Sequence, residues 1–225
     1  MRTILITGFG RFPGSPFNPS GPVATGLARR RRPALADVRL VSHVFATRYE
    51  AVDRELPALL ARERPDIVVL FGVATRARHL RVEERARNRM AVLFPDAGGY
   101  RPTGCAIVPR AAAERNPIAI TRLLQAARST GLPSSRSRNA GTYLCNYAYW
   151  RALEAAGRRG GPAQVIFIHV PPVSSGNMRK RPTARKRTVF RLHDLIRAGE
   201  AIVLAMLSSA RAAGIRHRRA TLPSG

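Results

Sequence analysis

The stretch Asp66-Ile67-Val68-Val69-Leu70-Phe71-Gly72 is an unbroken apolar run bounded by an acid and a glycine. Without polar alternation, it reads as a strand covered on both faces, the kind that parallel sheets of α/β proteins contain. Gln164–Val170 is a second run of this type, and residues 2–7 form a third that leads into Gly8. Val38–Phe45 alternates and reads as a fourth strand. Helix-length amphipathic stretches lie between these runs. Asn18-Pro19-Ser20 opens a helix that ends at the arginines of residues 29–32, before Pro33. Residues 49–62 carry Val52, Leu56, Leu59 and Leu60 at helical spacing, and residues 118–127, 143–156 and 190–213 read as further helices. Strands alternating with helices define an α/β architecture. No internal linker divides it, so residues 1–214 are expected to form one domain. Residues 172–188, rich in Pro, Ser, Gly and Arg, read as a mobile basic loop, and residues 215–225 as a frayed basic tail.

The chain has 225 residues, 45% of them hydrophobic and 23% charged, which supplies one sizeable core and excludes disorder as its main description. No apolar run approaches the roughly 20 residues needed to cross a bilayer, and the first residues are too short an apolar core for a signal peptide. The two cysteines, Cys105 and Cys145, cannot make a disulfide framework or a zinc site alone, so reduced thiols and a cytoplasmic location are expected. The charge is unusual: 39 basic residues face 13 acidic ones, for a net +26. A nucleic-acid or polyanion partner is one reading. The other is compositional, since Lys180 and Lys186 are the only lysines and the remaining basic residues are arginine. Aromatics make up 6%, which leaves little surface for stacking bases. Zinc-finger spacing, an aromatic RNA-binding signature and repeats are all missing. Salt-sensitive, non-specific contact with nucleic acid follows from the charge on either reading.

Three side chains could carry chemistry. Cys145 lies in Asn139-Ala140-Gly141-Thr142-Tyr143-Leu144-Cys145-Asn146, where a Gly-Thr turn opens into a helical pattern. A thiol in the first turn of a helix is favoured as thiolate by the unpaired N–H groups there. His169 ends an apolar strand, and in an open α/β sheet the crevice lies at the carboxyl ends of the strands. Glu83 and Glu84 follow residues 67–71 after a short connection, and either could orient the histidine. Together these make a nucleophile, a base and an orienting carboxylate. The alternative is that a lone Cys is a small buried hydrophobe and a lone His a satisfied polar residue. Cys105, beside Gly104 and Ala106-Ile107-Val108, reads as structural at a strand start. His43, His79, His193 and His217 sit among arginines without metal-ligand spacing.

Four segments in order resemble the pyrrolidone-carboxylate peptidases (pyroglutamyl peptidase type I), cysteine peptidases that remove an N-terminal pyroglutamate. They are Ile4-Leu5-Ile6-Thr7-Gly8-Phe9 with Phe12 and Asn18-Pro19-Ser20; residues 83–88 with Pro95-Asp96; Ala140-Gly141-Thr142-Tyr143-Leu144-Cys145-Asn146; and Phe167-Ile168-His169-Val170-Pro171. The resemblance implies a single α/β domain with a twisted, mostly parallel central sheet, of the phosphorylase/hydrolase-like kind. It implies a dimer or tetramer, no metal and no cofactor. It matches Cys145 to the nucleophile, His169 to the base and Glu83, rather than Glu84, to the carboxylate. Phe9 and Phe12 match the apolar walls that hold the flat pyrrolidone ring, with Asn18 nearby.

The chain departs from the family in three places. A Gly-Gln-Ala-Gly-Gly-Arg-like stretch is replaced by Gly72-Val73-Ala74-Thr75-Arg76-Ala77, so Val73 stands for a glutamine near the pocket and Ala77 for an arginine. Asp-Ala-Arg-Ile-Pro-Asp is reduced to Pro95-Asp96 preceded by Val92-Leu93-Phe94. The C-terminal third is loosely similar and more basic. The function expected is hydrolysis of N-terminal pyroglutamyl peptides through a thioester. The alternative is a catalytically weak or inactive homologue that binds nucleic acid or another polyanion.

Overall fold

A computed structural model describes residues 1–12, 17–115, 119–173 and 190–214. The loop expected at 172–188, beyond Val173, and the tail expected at 215–225 lie outside the described residues. Among the described residues the strands are β1 (Arg2–Phe9), β2 (Val38–Phe45), β3 (Ile67–Val73), β4 (Leu80–Glu83), β5 (Ala86–Arg87), β6 (Glu114–Arg115), β7 (Ser134–Ser137) and β8 (Gln164–Val170). The helices are α1 (Ser20–Ala28), α2 (Tyr49–Glu63), α3 (Thr121–Ser129), α4 (Leu144–Ala156) and α5 (Leu192–Ala212). No helix among them is long and apolar enough to cross a membrane.

Six strands form one sheet in the order β2-β1-β3-β8-β4-β7. Every pairing is parallel except β4 with β8, which is antiparallel. Strand side chains alternate between faces, and both faces are apolar. Ile4, Ile6, Val69, Phe71, Ile166 and Ile168 meet α1, α3 and α5 on one side. Leu5, Val68, Leu70, Val165 and Phe167 meet α2 and α4 on the other. That two-sided cover explains why the central strands are legible as unbroken apolar runs.

One expectation is corrected: Gly104 to Val108 form no strand, and Cys105 is exposed. Glu83 ends a strand of its own, β4, inserted between β8, to which it is antiparallel, and β7, to which it is parallel. The short pair β5–β6 was likewise not anticipated.

The β1–α1 connection has little space. Phe9 N–H donates to Ser20 Oγ at 3.0 Å, and an ideal Cβ on Gly8 would stand 2.4 Å from the Ser20 carbonyl oxygen. Backbone meets backbone here, so no side chain can yield. Gly8→Ala should cost about 3 kcal/mol, lowering the thermal midpoint by roughly 6–12 °C in a melt followed by circular dichroism.

Candidate active site

The carboxyl ends of β1, β3 and β8 and the start of α4 converge on one cavity of about 180 Å³. Phe9, Phe12 and Val73 give it apolar walls, Ala140, Tyr143 and Leu144 close another side, and Cys145 and His169 reach into it. Thr47 and Asn18 complete the lining, so no carboxylate, lysine or arginine faces it among the described residues.

Cys145 is the second residue of α4. Gly141, at φ +84°, makes the turn that feeds the helix, and left-handed backbone is what glycine tolerates best. The residue before the helix, Tyr143, is extended and supplies no side-chain cap, so among the described residues the first N–H groups of α4 have no capping side chain. Below the thiol lies Gly72 on β3. A Cβ there would stand 2.7 Å from Cys145 Sγ and 2.7 Å from the Phe167 ring. Glycine at this point is what lets the thiol settle on the sheet.

His169, 6% exposed, donates Nδ1–H to Glu83 Oε1 at 2.7 Å, and Glu83 is fully buried. The geometry follows from the antiparallel register. Arg81 sits opposite His169, so Glu83, two residues on, lies on the same face one diagonal away. Burial alone pushes the imidazole pKa down, but attraction and a hydrogen bond from Cys145, with the hydrogen bond and charge of Glu83, raise it to about 9. With Nδ1 turned to the carboxylate, Nε2 is left for the thiol. The Tyr149 hydroxyl donates to the Glu83 carbonyl at 3.1 Å and steadies the end of β4. Glu84 turns the other way and pairs with Arg136 and Arg138.

Asn18 lines the cavity, but its amide is spent on the loop. Nδ2 donates to the Gly10 carbonyl, and Oδ1 accepts from the Ser20 N–H and hydroxyl. Ala77 is buried, while Arg76 and Arg78 are exposed and outside the lining. The other described histidines are elsewhere, His43 paired with Glu55, His193 with Asp194, and His79 near Arg81 just before β4.

Reading the sequence did not assign Asn146, Asn88 and Asp96 their roles. Buried Asn146 accepts from Arg87 N–H and donates to the Arg87 and Arg89 carbonyls, which clamps the segment after Glu83 to α4. Asn88 exchanges two hydrogen bonds with Val108, and Asp96 accepts from the N–H groups of Tyr49, Gly98 and Tyr100. Short polar side chains bound to backbone over such distances have no local sequence pattern; only their presence in the resemblance marked them.

A thiol at a helix start, an imidazole and a buried carboxylate, set at strand ends beside an uncharged cavity, are the parts of a cysteine hydrolase. The model of the pyroglutamyl peptidase family matches residues 2–201, and the chain belongs to that family. It is 32% identical over 195 residues to the pyrrolidone-carboxylate peptidase of Thermococcus onnurineus, covering 86% of this chain and 96% of that one. It is 30% identical over 192 residues to pyrrolidone-carboxylate peptidase 1 of Ralstonia nicotianae, covering 84% and 88%. The solved pyrrolidone carboxyl peptidase of Thermococcus litoralis superposes with a TM-score of 0.84 at 27% identity, over 99% of this chain and 100% of that one.

A Cβ on Gly72 would meet Cys145 Sγ and the Phe167 ring at the same distance, so Gly72→Ala should move the thiol while leaving the sheet paired. Turnover of a pyroglutamyl amide should fall by about a hundredfold, the cost of a misplaced reacting group, with the circular-dichroism spectrum unchanged.

Proposed function

We propose that this protein is a cysteine exopeptidase that hydrolyses the bond after an N-terminal pyroglutamyl residue, with Cys145 as nucleophile, His169 as acid and base, and Glu83 as the group that orients the imidazole. The observation that carries the reading is the 2.7 Å contact of His169 Nδ1 with fully buried Glu83, at a cavity shared by His169 and Cys145. Pyroglutamate is an uncharged, flat lactam, and a cavity walled by Phe9, Phe12 and Val73 without an ionic anchor suits it. Asn18 serves by shaping the loop that carries Phe9 and Phe12.

Nε2 of His169 takes the proton of the Cys145 thiol and becomes imidazolium. Cys145 Sγ attacks the pyroglutamyl carbonyl, and the N–H groups at the start of α4 hold the oxyanion that forms. Imidazolium Nε2–H protonates the departing amine, so the C–N bond breaks and a thioester remains. His169, now neutral, takes a proton from water, and the hydroxide releases pyroglutamate and returns the thiolate. Glu83 keeps its negative charge throughout and fixes the tautomer.

A homo-oligomeric state, dimer or tetramer, belongs to the same reading and rests on the family resemblance. So does a cytoplasmic setting, since a nucleophilic thiol works only when reduced and both cysteines are free. Non-specific, salt-released contact with nucleic acid accompanies the net charge of +26 without replacing catalysis.

The test is hydrolysis of pyroglutamyl-7-amino-4-methylcoumarin under reducing conditions. Thiol-dependent turnover is expected, lost in Cys145→Ala, and reduced much more by Glu83→Gln than by Glu84→Gln; equal effects of the two glutamates would refute the assignment. The pH profile gives a second check. The acid that serves the leaving amine disappears as pH rises through the His169 pKa of about 9, so kcat/KM should fall above that value. Glu83 is one of the groups that raise the pKa, so Glu83→Gln should shift this limb to lower pH.

A further inference from the structure

The five residues Ala91-Val92-Leu93-Phe94-Pro95 bear no charge, in a chain whose net charge is +26. Leu93 is 75% exposed, Phe94 66% and nearby Tyr100 54%. Apolar side chains scattered singly over a surface are ordinary, whereas a group of them open to water in one loop marks a contact surface. The resembled family has Asp-Ala-Arg-Ile before Pro-Asp, and here an acid and a base have given way to alanine and leucine.

The loop is fastened to the approach to Cys145. Ala91 N–H donates to the Thr142 carbonyl at 2.6 Å, and the Tyr143 hydroxyl donates to the Pro95 carbonyl at 3.0 Å. Tyr143 is therefore shared: its ring lines the catalytic cavity and its hydroxyl holds the loop. Buried Tyr49 packs edge-on against both Tyr143 and Tyr100, which ties the cavity wall to the loop from beneath. A cavity of about 180 Å³ has room for the acyl group of a substrate and little else. The rest of the peptide lies outside the cavity, of which Tyr143 is a lining residue.

Resting on the peptidase reading, we infer that Leu93, Phe94 and Tyr100 form a docking surface for the leaving peptide, favouring substrates whose residue after pyroglutamate is large and apolar.

The experiment compares pyroglutamyl-Phe-Ala-amide with pyroglutamyl-Ser-Ala-amide as substrates of the wild type and of the double variant Leu93→Ser, Phe94→Ser. The wild type should prefer the Phe peptide by about tenfold in kcat/KM, the scale on which apolar contacts discriminate. In the double variant the preference should fall below about threefold, mainly through KM. Turnover of both peptides without preference, or with one the variant retains, overturns the docking surface and leaves the peptidase reading standing. If the double substitution instead changes the sedimentation coefficient while the preference survives, the surface belongs to a second copy and the inference fails. Should neither peptide be cleaved, binding of their fluorescent forms to Cys145→Ala separates the two claims. A Phe preference that disappears with Leu93 and Phe94 supports docking while the peptidase reading falls, and equal or absent binding overturns docking as well.

Discussion

The site depends on one contact, that of the Cys145 sulfur with the bare backbone of Gly72. A helix N-terminus offers donors for an anion, but only at short range. It is useful beside His169 only because α4 lies close enough for the thiol to rest on β3, a strand hydrogen-bonded to β8. Asn146, the next residue, holds the same approach from the other side through three hydrogen bonds to Arg87 and Arg89. The thiol is thus placed by a missing side chain below it and an amide clamp beside it.

A second constraint concerns charge. A carboxylate as deeply buried as Glu83 is costly unless it is paired, and one of its oxygens, Oε2, makes no hydrogen bond among the described residues. The ion pair with His169 is the compensation. The pair becomes a property of three groups once Cys145 joins it, and no member can be removed without leaving another exposed to the low dielectric. Elsewhere acids are scarce and arginines share them: Arg32 and Arg30 face Glu200, Arg39 and Arg62 face Glu63, Arg136 and Arg138 face Glu84.

What could be read from the chain follows the strength of its local physics. Strands β1, β3 and β8 announce themselves because both faces are apolar, and the helices because one face is. The sequence Leu80-Arg81-Val82-Glu83 alternates, but over four residues only, and such a stretch is weak against a background of arginine. Ser134-Ser135-Arg136-Ser137 carries no hydrophobic signal at all, since β7 is an edge whose strand character comes from pairing with β4. The three chemical residues were legible as types, and Glu83 was separated from Glu84 by resemblance alone. In the fold the separation is one of parity: adjacent strand residues face opposite ways, and only one faces His169. The role of Gly72 had no sequence signal, since nothing in a glycine tells which atom will come to rest on it.

The antiparallel insertion of β4 also has a consequence in time. Both of its neighbours, β7 and β8, lie later in the chain than β4 itself, so the strand has no place in the sheet until residue 170 has been made. As the ribosome delivers the chain, Glu83 waits through more than a third of the sequence for its histidine. Cys145 is made within that interval and also precedes its histidine. The site is assembled only when the last central strand closes the sheet.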